Sequence, residues 1–158
     1  TFVFMVPRES HVDFTDLAPP ALPPVPADDG LRSGPPEFFT HHMEYPEKRQ
    51  GVGLGEPQLS GWYRFRERDG LDITASLLCI GDAQPPSAMG IMTQMAPISS
   101  INWQVNMLAD KPETEGGWWY LHSETHYAAH GASSQTMHVW NSRGKPVMTG
   151  MQAVAIFA

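Results

Sequence analysis

One stretch of the chain has the hydrophobic spacing of a helix. Between Leu71 and Ala83, apolar and small side chains recur at intervals of three and four residues, which places them on one helical face. Either Asp69 or Asp72 can cap the N-terminus of such a helix. Pro85 and Pro86 stop it from continuing. The pattern therefore predicts a single helix over residues 71–83.

The remaining ordered sequence favours β-strands, because polar and apolar side chains alternate in it with a period of two. Before the helix, the pattern predicts strands at Thr1 to Val6, Glu37 to Tyr45 and Gly61 to Glu67. After the helix, everything beyond Met95 reads as strand: Ile101 to Met107, Trp118 to Tyr127, Ser133 to Trp140 and Val147 to Phe157. These four strands are expected to form a meander. Gly144 suits the last hairpin turn, since glycine tolerates a positive φ.

The first strand after the helix is predicted to have two distinct faces. By simple alternation, Ile101, Trp103, Val105 and Met107 share one face, and Asn102, Gln104 and Asn106 share the other. One helix beside a long antiparallel sheet gives an α+β fold.

A proline-rich segment divides the chain. Residues 9–36 are dominated by Pro, Ala and Asp, a composition that favours extended polyproline conformation. We interpret this segment as a surface linker. It separates residues 1–8, a strand expected to belong to a preceding or partner unit, from a folded domain at residues 37–158. A proline-rich recognition motif is the alternative for the segment.

Composition and charge exclude several classes of function. The formal net charge of −7 argues against nucleic acid as a partner, because a phosphate backbone requires clustered Lys and Arg. Arg64, Arg66 and Arg68 alternate as on a solvated strand face. Cys79 is the one cysteine and lies in an apolar run, so we expect a buried structural thiol. The sequence shows no basic and apolar leader and no run of about 18 apolar residues, so we expect a cytoplasmic protein without a membrane partner.

Histidines are numerous but do not form a metal-binding pattern. They include His41, His42, His122, His126, His130 and His138. No cysteine ligand or HExxH spacing accompanies them, and we expect neither a metal nor a cofactor. A Ser/His/Asp triad built on Ser99 or Ser133 ranks lower still, since geometry defines a triad.

Three motifs, in order, carry a resemblance to a known family. They are the helix end Cys79-Ile-Gly-Asp82 followed by Ala-Gln-Pro-Pro, the strand Pro97-Ile-Ser-Ser-Ile-Asn-Trp-Gln-Val-Asn, and the final hairpin Gly144-Lys-Pro-Val-Met-Thr-Gly-Met-Gln152. In these motifs the chain resembles the acyl-CoA thioesterase II family and its wider thioesterase-like superfamily. The resemblance implies a hotdog fold, in which a curved antiparallel sheet wraps around one central helix. It also implies the second unit of a double hotdog.

The resemblance further implies a site and a reaction. Members of the family hold the water that attacks an acyl thioester with an Asp, a Ser or Thr, and a Gln, which fall here on Asp82, Ser100 and Gln152. A carboxylate at a helix C-terminus near apolar walls should have a raised pKa, which suits a general base. Each residue also has an ordinary structural reading: a turn aspartate, a strand hydroxyl and a buried amide.

The sequence is also compatible with other functions and with a partner. The chain could be a non-catalytic hotdog that binds an acyl or aromatic ligand, or a half that completes a site on its partner. It could also be a self-processed hydrolase fragment that uses Thr1 as an N-terminal nucleophile. Dehydration or hydration of an acyl thioester ranks lower, because no His lies in the predicted helix. In each case we expect an N-terminal hotdog half or a second copy of the chain as partner.

Overall fold

A computed structural model describes residues 8–19, 21–46 and 52–157. Within them, one antiparallel sheet of seven strands packs on one α-helix. The strands are β1 (Leu31–Arg32), β2 (Met43–Pro46), β3 (Gln58–Phe65), β4 (Ile98–Met107), β5 (Trp119–Ala129), β6 (Ala132–Asn141) and β7 (Pro146–Ile156), and the helix α1 is Ile73–Gly81. The predicted α+β architecture is confirmed. The predicted strand Thr1 to Val6 lies outside the described residues.

The order of the strands differs from the predicted meander. Along the sheet the order is β1-β2-β3-β5-β6-β7-β4. Strands β5, β6 and β7 do form a meander, but β4 pairs with β7 at the far edge. The reason is that both sides of β5 are occupied, one by β3 and the other by β6. The only strand of this meander with a free side is β7, and β4 takes it.

The helix forms where the spacing predicts it, with tighter limits. Asp72 is the N-cap, and its side chain accepts a hydrogen bond of 2.8 Å from the backbone N–H of Ala75. The last helical residue is Gly81, and Asp82 is the C-cap. The helix thus ends before the two prolines that were predicted to stop it. A short 3-10 turn, Ser87–Ile91, follows.

The helix covers one face of the sheet, which we call the inner face. Leu77 and Ile80 of α1 are buried there. They pack with a core of side chains drawn from five strands and from the residue after Asp82: Met43, Tyr63, Ala83, Trp119, Leu121, Met137, Val139, Val147 and Met148. Successive strand residues point to opposite faces, so Trp62 and Tyr120, which flank Tyr63 and Trp119 in sequence, lie on the outer face.

The outer face has an aromatic cluster of its own, formed by Trp62, Trp118, Tyr120 and Trp140. The proline-rich segment packs against it through Leu22 and Leu31. The Trp140 indole Nε1 donates a hydrogen bond of 2.8 Å to the carbonyl of Leu17. The segment is therefore packed against the sheet, and it continues into edge strand β1. Its role as a connection between two units stays a prediction.

Arg64 is not on a solvated strand face, as its spacing had predicted. The residue is buried, and its guanidinium lies 4.4 Å from the centre of the Trp118 ring. It forms ion pairs of 2.8 Å with Glu44 and with Asp28 of the proline-rich segment. The sequence could not show this burial, because the segment that covers Arg64 is more than 30 residues distant along the chain.

Two further local predictions are wrong. In place of a strand from Glu37 to Tyr45, a 3-10 turn at Phe39–His42 precedes the short strand β2. Here the backbone N–H of Gly34 bonds the carbonyl of Thr40 at 3.1 Å, which closes a loop instead of extending the sheet. Cys79 is exposed rather than buried, because it lies on the side of α1 that faces away from the sheet. No described helix is long and apolar enough to cross a membrane.

Candidate active site

A β-bulge in β4 turns Ser100 toward the inner face. Ser100 pairs with Val154 and Asn102 with Ala153, so Ile101 is an extra residue without a partner in β7. Beyond the bulge, Trp103 pairs with Gln152. Cross-strand partners point to the same face, and Val154 and Gln152 share one, so Ser100 and Trp103 share it too. The prediction that Ile101 shares a face with Trp103 is therefore wrong, and Ile101 is 62% exposed at the bulge.

The structure brings together two of the three predicted site residues. The Gln152 side-chain Nε2 donates a hydrogen bond of 2.8 Å to the hydroxyl Oγ of Ser100. Gln152 is buried, with 5% of its surface exposed, whereas Ser100 is exposed. The pair therefore leads from the core to the surface at the edge of the sheet. In this arrangement Ser100 accepts a hydrogen bond, and its own proton remains available to donate.

Asp82 lies at the end of α1, close to the same edge. The preceding residue, Gly81, packs so closely on the sheet that an added Cβ would lie 2.3 Å from the Met148 methyl and 3.2 Å from the Trp103 ring. Trp103 is the cross-strand partner of Gln152. Glycine thus allows the helix end to approach the strand pair that carries the amide. Among the described residues, no hydrogen bond joins the Asp82 carboxylate to Ser100 or Gln152.

Two titratable groups at this helix end are shifted in the same direction. Although Asp82 is exposed in this chain, partial burial against its surroundings raises the pKa of its carboxyl. Partial burial of the otherwise exposed Cys79 likewise raises the pKa of its thiol, and the nearby Asp82 charge raises it further. The first shift favours a general base. The second disfavours the thiolate, so Cys79 is a poor nucleophile.

Three polar residues behind the site were not predicted from the sequence. Gln135 donates a hydrogen bond of 2.8 Å from Nε2 to the Oε1 of Gln152. Its own Oε1 accepts from the backbone N–H of Ser87 at 2.8 Å, and the Ser87 hydroxyl contacts that of Thr125 at 2.7 Å. The signal was present in the sequence. Gln135 shares the parity of Met137 and Val139 in its strand, so a polar amide stands at a core position.

A cavity in the described part of the chain lies away from these residues. A cavity of about 500 Å³ is lined by prolines 23, 24 and 26 together with Trp62 and Tyr120. It therefore lies between the proline-rich segment and the outer face, and none of the predicted site residues lines it. Histidines are also concentrated on the outer face, where His122 pairs across strands with His138. Among the described residues no three His, Cys, Asp or Glu are grouped in a way that could hold a metal ion.

Comparison with known proteins identifies the family. Residues 19–156 match the family described as the acyl-CoA thioesterase C-terminal domain. The chain belongs to this family. The match confirms the resemblance to acyl-CoA thioesterase II that the three motifs carry. No match to a curated protein was found.

Solved structures confirm the hotdog fold of this chain. A hotdog protein of unknown function from Alicyclobacillus acidocaldarius is 24% identical with a TM-score of 0.76, over 96% of this chain and 59% of that one. An acyl-CoA thioesterase II from Mycobacterium marinum is 15% identical with a TM-score of 0.67, over 94% and 59%. A hypothetical thioesterase from Streptococcus pneumoniae, solved with coenzyme A, is 11% identical with a TM-score of 0.50, over 73% and 86%.

The chain is shorter than two of these relatives. It spans 59% of the A. acidocaldarius chain and 59% of the M. marinum chain. Its fold corresponds to one hotdog, and the match to a C-terminal domain is consistent with the second half of a double hotdog.

Proposed function

We propose that this chain hydrolyses acyl-CoA or a related acyl thioester with a water molecule held by Asp82, Ser100 and Gln152. The observation that carries the proposal is the Gln152–Ser100 hydrogen bond beside a helix end that presents a carboxylate of raised pKa. Membership of the thioesterase family supports the reaction class. Coenzyme A in the S. pneumoniae structure supports a CoA thioester as substrate.

In the proposed reaction Asp82 is the general base. It takes one proton from the water as the oxygen attacks the thioester carbonyl carbon, which gives a tetrahedral intermediate. The carbon–sulfur bond then breaks, and the departing thiolate receives the proton from Asp82. The products are a carboxylic acid and the free thiol. A raised pKa brings the base closer to the working pH, which is the condition for efficient general acid–base catalysis.

Ser100 and Gln152 position the water without ionising. Because Ser100 accepts a hydrogen bond from Gln152, its hydroxyl proton is directed to the remaining partner, the attacking water or the substrate carbonyl. Gln152 is buried, so its amide is held in one orientation and costs little reorganisation during the reaction. Orienting the water before the reaction in this way can supply a large part of the reduction in the activation barrier.

Steady-state hydrolysis of a panel of acyl-CoAs tests the proposal. We expect turnover of at least one chain length by the chain together with its N-terminal hotdog unit. A thioether analogue of the best substrate, which cannot be hydrolysed, should inhibit competitively. Binding of the analogue without turnover of any acyl-CoA would contradict the proposal and favour the non-catalytic hotdog. The N-terminal nucleophile stays a prediction, because Thr1 lies outside the described residues.

We also propose that the site is completed by a partner, either an N-terminal hotdog half or a second copy. In the described part of the chain, β4 pairs with β7 and with no other strand. An exposed edge of this length is a template for further strand pairing. Apolar side chains around it are exposed: Met95 at 72%, Ile101 at 62% and Leu108 at 45%. Asp82 and Ser100 lie at this surface, so a partner here would enclose them.

Light scattering tests the partner. We expect a mass of at least twice the 17.5 kDa of this chain, or a stable complex when the N-terminal unit is supplied. Ile101→Lys should weaken the association, because it buries a charge in the contact. Phe14→Lys is the matched control, since Phe14 is 81% exposed on the proline-rich side of the chain. Full activity from a monomer without any second unit would refute the proposal that a partner completes the site.

A further inference from the structure

A continuous row of hydrogen bonds runs through the core to the candidate site. The Thr125 and Ser87 hydroxyls are 2.7 Å apart, and the Ser87 hydroxyl donates to the Oε1 of Gln135 at 3.0 Å. Gln135 Nε2 donates to Gln152 Oε1 at 2.8 Å, and Gln152 Nε2 donates to Ser100 Oγ at 2.8 Å. The five residues come from β5, the 3-10 turn, β6, β7 and β4, in that order. We call this row the amide relay.

The direction of the amide relay is fixed by one backbone group. The N–H of Ser87 can only donate, and it lies 2.8 Å from the side chain of Gln135. The atom it meets must therefore be the acceptor Oε1, which leaves Nε2 of Gln135 to face Gln152. Gln152 must then turn its own Oε1 inward and its Nε2 outward, toward Ser100.

Because the two amides are buried, reversing this orientation would cost free energy. Gln135 is 2% exposed and Ser87 has no exposed surface. A flip of either amide would place two acceptors or two donors face to face where water cannot replace the lost bond. Donors that all point the same way also polarise one another, which strengthens the bonds along the row. The Ser100 hydroxyl ends the row, and because it accepts from Gln152 its own proton is left to donate outside the relay.

We propose that Gln135 is a positioning residue that sets the amide of Gln152, and through it the Ser100 hydroxyl, for thioester hydrolysis. This inference rests on the proposed function for its effect on rate. The orientation itself can be measured without turnover. Gln135 acts through Gln152, so it need not touch the substrate.

Gln135→Met tests the proposal, because methionine keeps the length of the side chain but has neither the donor nor a strong acceptor. We expect kcat to fall about tenfold, the scale of one lost hydrogen bond, with KM nearly unchanged. Thr136→Val is the matched control. It removes a hydrogen bond of similar length, the 2.7 Å contact of Thr136 with His126, from the next residue of β6 on the opposite face. Its kcat should stay within twofold of the parent chain.

A double-mutant cycle separates positioning from general loss of stability. With Gln152→Met already present, Gln135→Met should change kcat by less than about twofold, since the group it orients is gone. A merely structural role would lower kcat by the same factor in both backgrounds. Gln135→Glu is a second variant in case Gln135→Met does not fold. In its ionised form the carboxylate keeps an acceptor for Ser87 but offers no donor to Gln152, so the same loss of kcat is expected at pH values above the pKa of this carboxyl.

Hydrogen exchange of the Gln152 side-chain amide, followed by NMR, provides the readout that needs no substrate. Exchange should be slow in the parent chain and at least tenfold faster in Gln135→Met, while Thr136→Val leaves it unchanged. If the parent chain hydrolyses no acyl-CoA, the proposed function fails. The exchange measurement still shows whether Gln135 orients the Gln152 amide. Unchanged exchange, additive effects in the cycle, or equal kcat losses in Gln135→Met and Thr136→Val would overturn the proposal.

Discussion

Asp82→Asn is expected to lower kcat for acyl-CoA hydrolysis by about two orders of magnitude or more, the usual contribution of a general base. Asparagine keeps the shape of the side chain and can still hydrogen-bond a water molecule, but it cannot accept the proton. Binding of a thioether analogue should therefore persist. Steady-state kinetics with the best acyl-CoA, beside a binding measurement, gives both numbers.

The pH dependence of the same reaction follows from the raised pKa of Asp82. The base acts only when it is deprotonated, so kcat/KM should fall as pH drops through this pKa. Because the pKa is raised, the fall should begin at a higher pH than an ordinary aspartate would give. In Asp82→Asn the residual rate should lack this acidic limb. If Asp82→Asn keeps both the rate of the parent chain and the fall of kcat/KM at low pH, Asp82 is not the general base.

Asp82→Asn should also stabilise the fold near neutral pH. A carboxyl whose pKa is higher in the folded state than in the unfolded state destabilises the fold when ionised. The negative end of the helix disfavours this charge as well. The gain in Tm should shrink as pH falls through the folded-state pKa and disappear below the unfolded-state value. Opposite changes in stability and activity are common where a charged group is held for function.

Trp140→Ala should have the largest effect on stability. Trp140 is 1% exposed in the outer aromatic cluster, and truncation of a buried tryptophan to alanine costs about 3–5 kcal/mol. The indole bond to Leu17 is lost as well, so the proline-rich segment should detach. Urea unfolding measures the free energy, and limited proteolysis of residues 8–30 should become faster.

Trp140→Phe is the control for this substitution. Phenylalanine fills much of the same space but has no N–H donor, so the cost should fall to about 1–2 kcal/mol. Release of the segment in both variants would mean that the hydrogen bond to Leu17 holds it. If Trp140→Ala costs less than about 1 kcal/mol, the outer cluster does not stabilise the domain, and the packing of the proline-rich segment needs another cause.

The sequence predicted the parts of this protein that depend on local chemistry. The apolar spacing after Leu71 and the capping carboxylate of Asp72 locate the helix, and the structure confirms both. Alternation of polar and apolar residues locates β3, β5, β6 and β7 to within about three residues. The last turn has Gly144 at a φ of 77°. Each of these features is set by neighbours in the chain, so the order of residues suffices.

The candidate site could be predicted from the sequence only in part. Motif resemblance selected Ser100 and Gln152, and the structure joins them by a hydrogen bond. The bulge at Ile101 that makes this possible is invisible to a period of two, which assigns Ser100 to the opposite face. A polar residue at the core position of Gln135 is visible in the sequence, but its partners Ser87 and Gln152 are not, because they are distant in the chain. The roles of Asp82, Ser100 and Gln152 in a reaction stay predictions.

By itself the sequence therefore determined the helix, most of the strands and the family, because local hydrogen bonding, side-chain period and short motifs are properties of neighbouring residues. Tertiary structure alone decided the place of β4 beside β7, the seat of the proline-rich segment over Arg64, and the amide relay behind Ser100. These features depend on which edges and buried donors remain unsatisfied once the other elements have paired. That is decided by groups far apart in the chain that meet only in the folded protein.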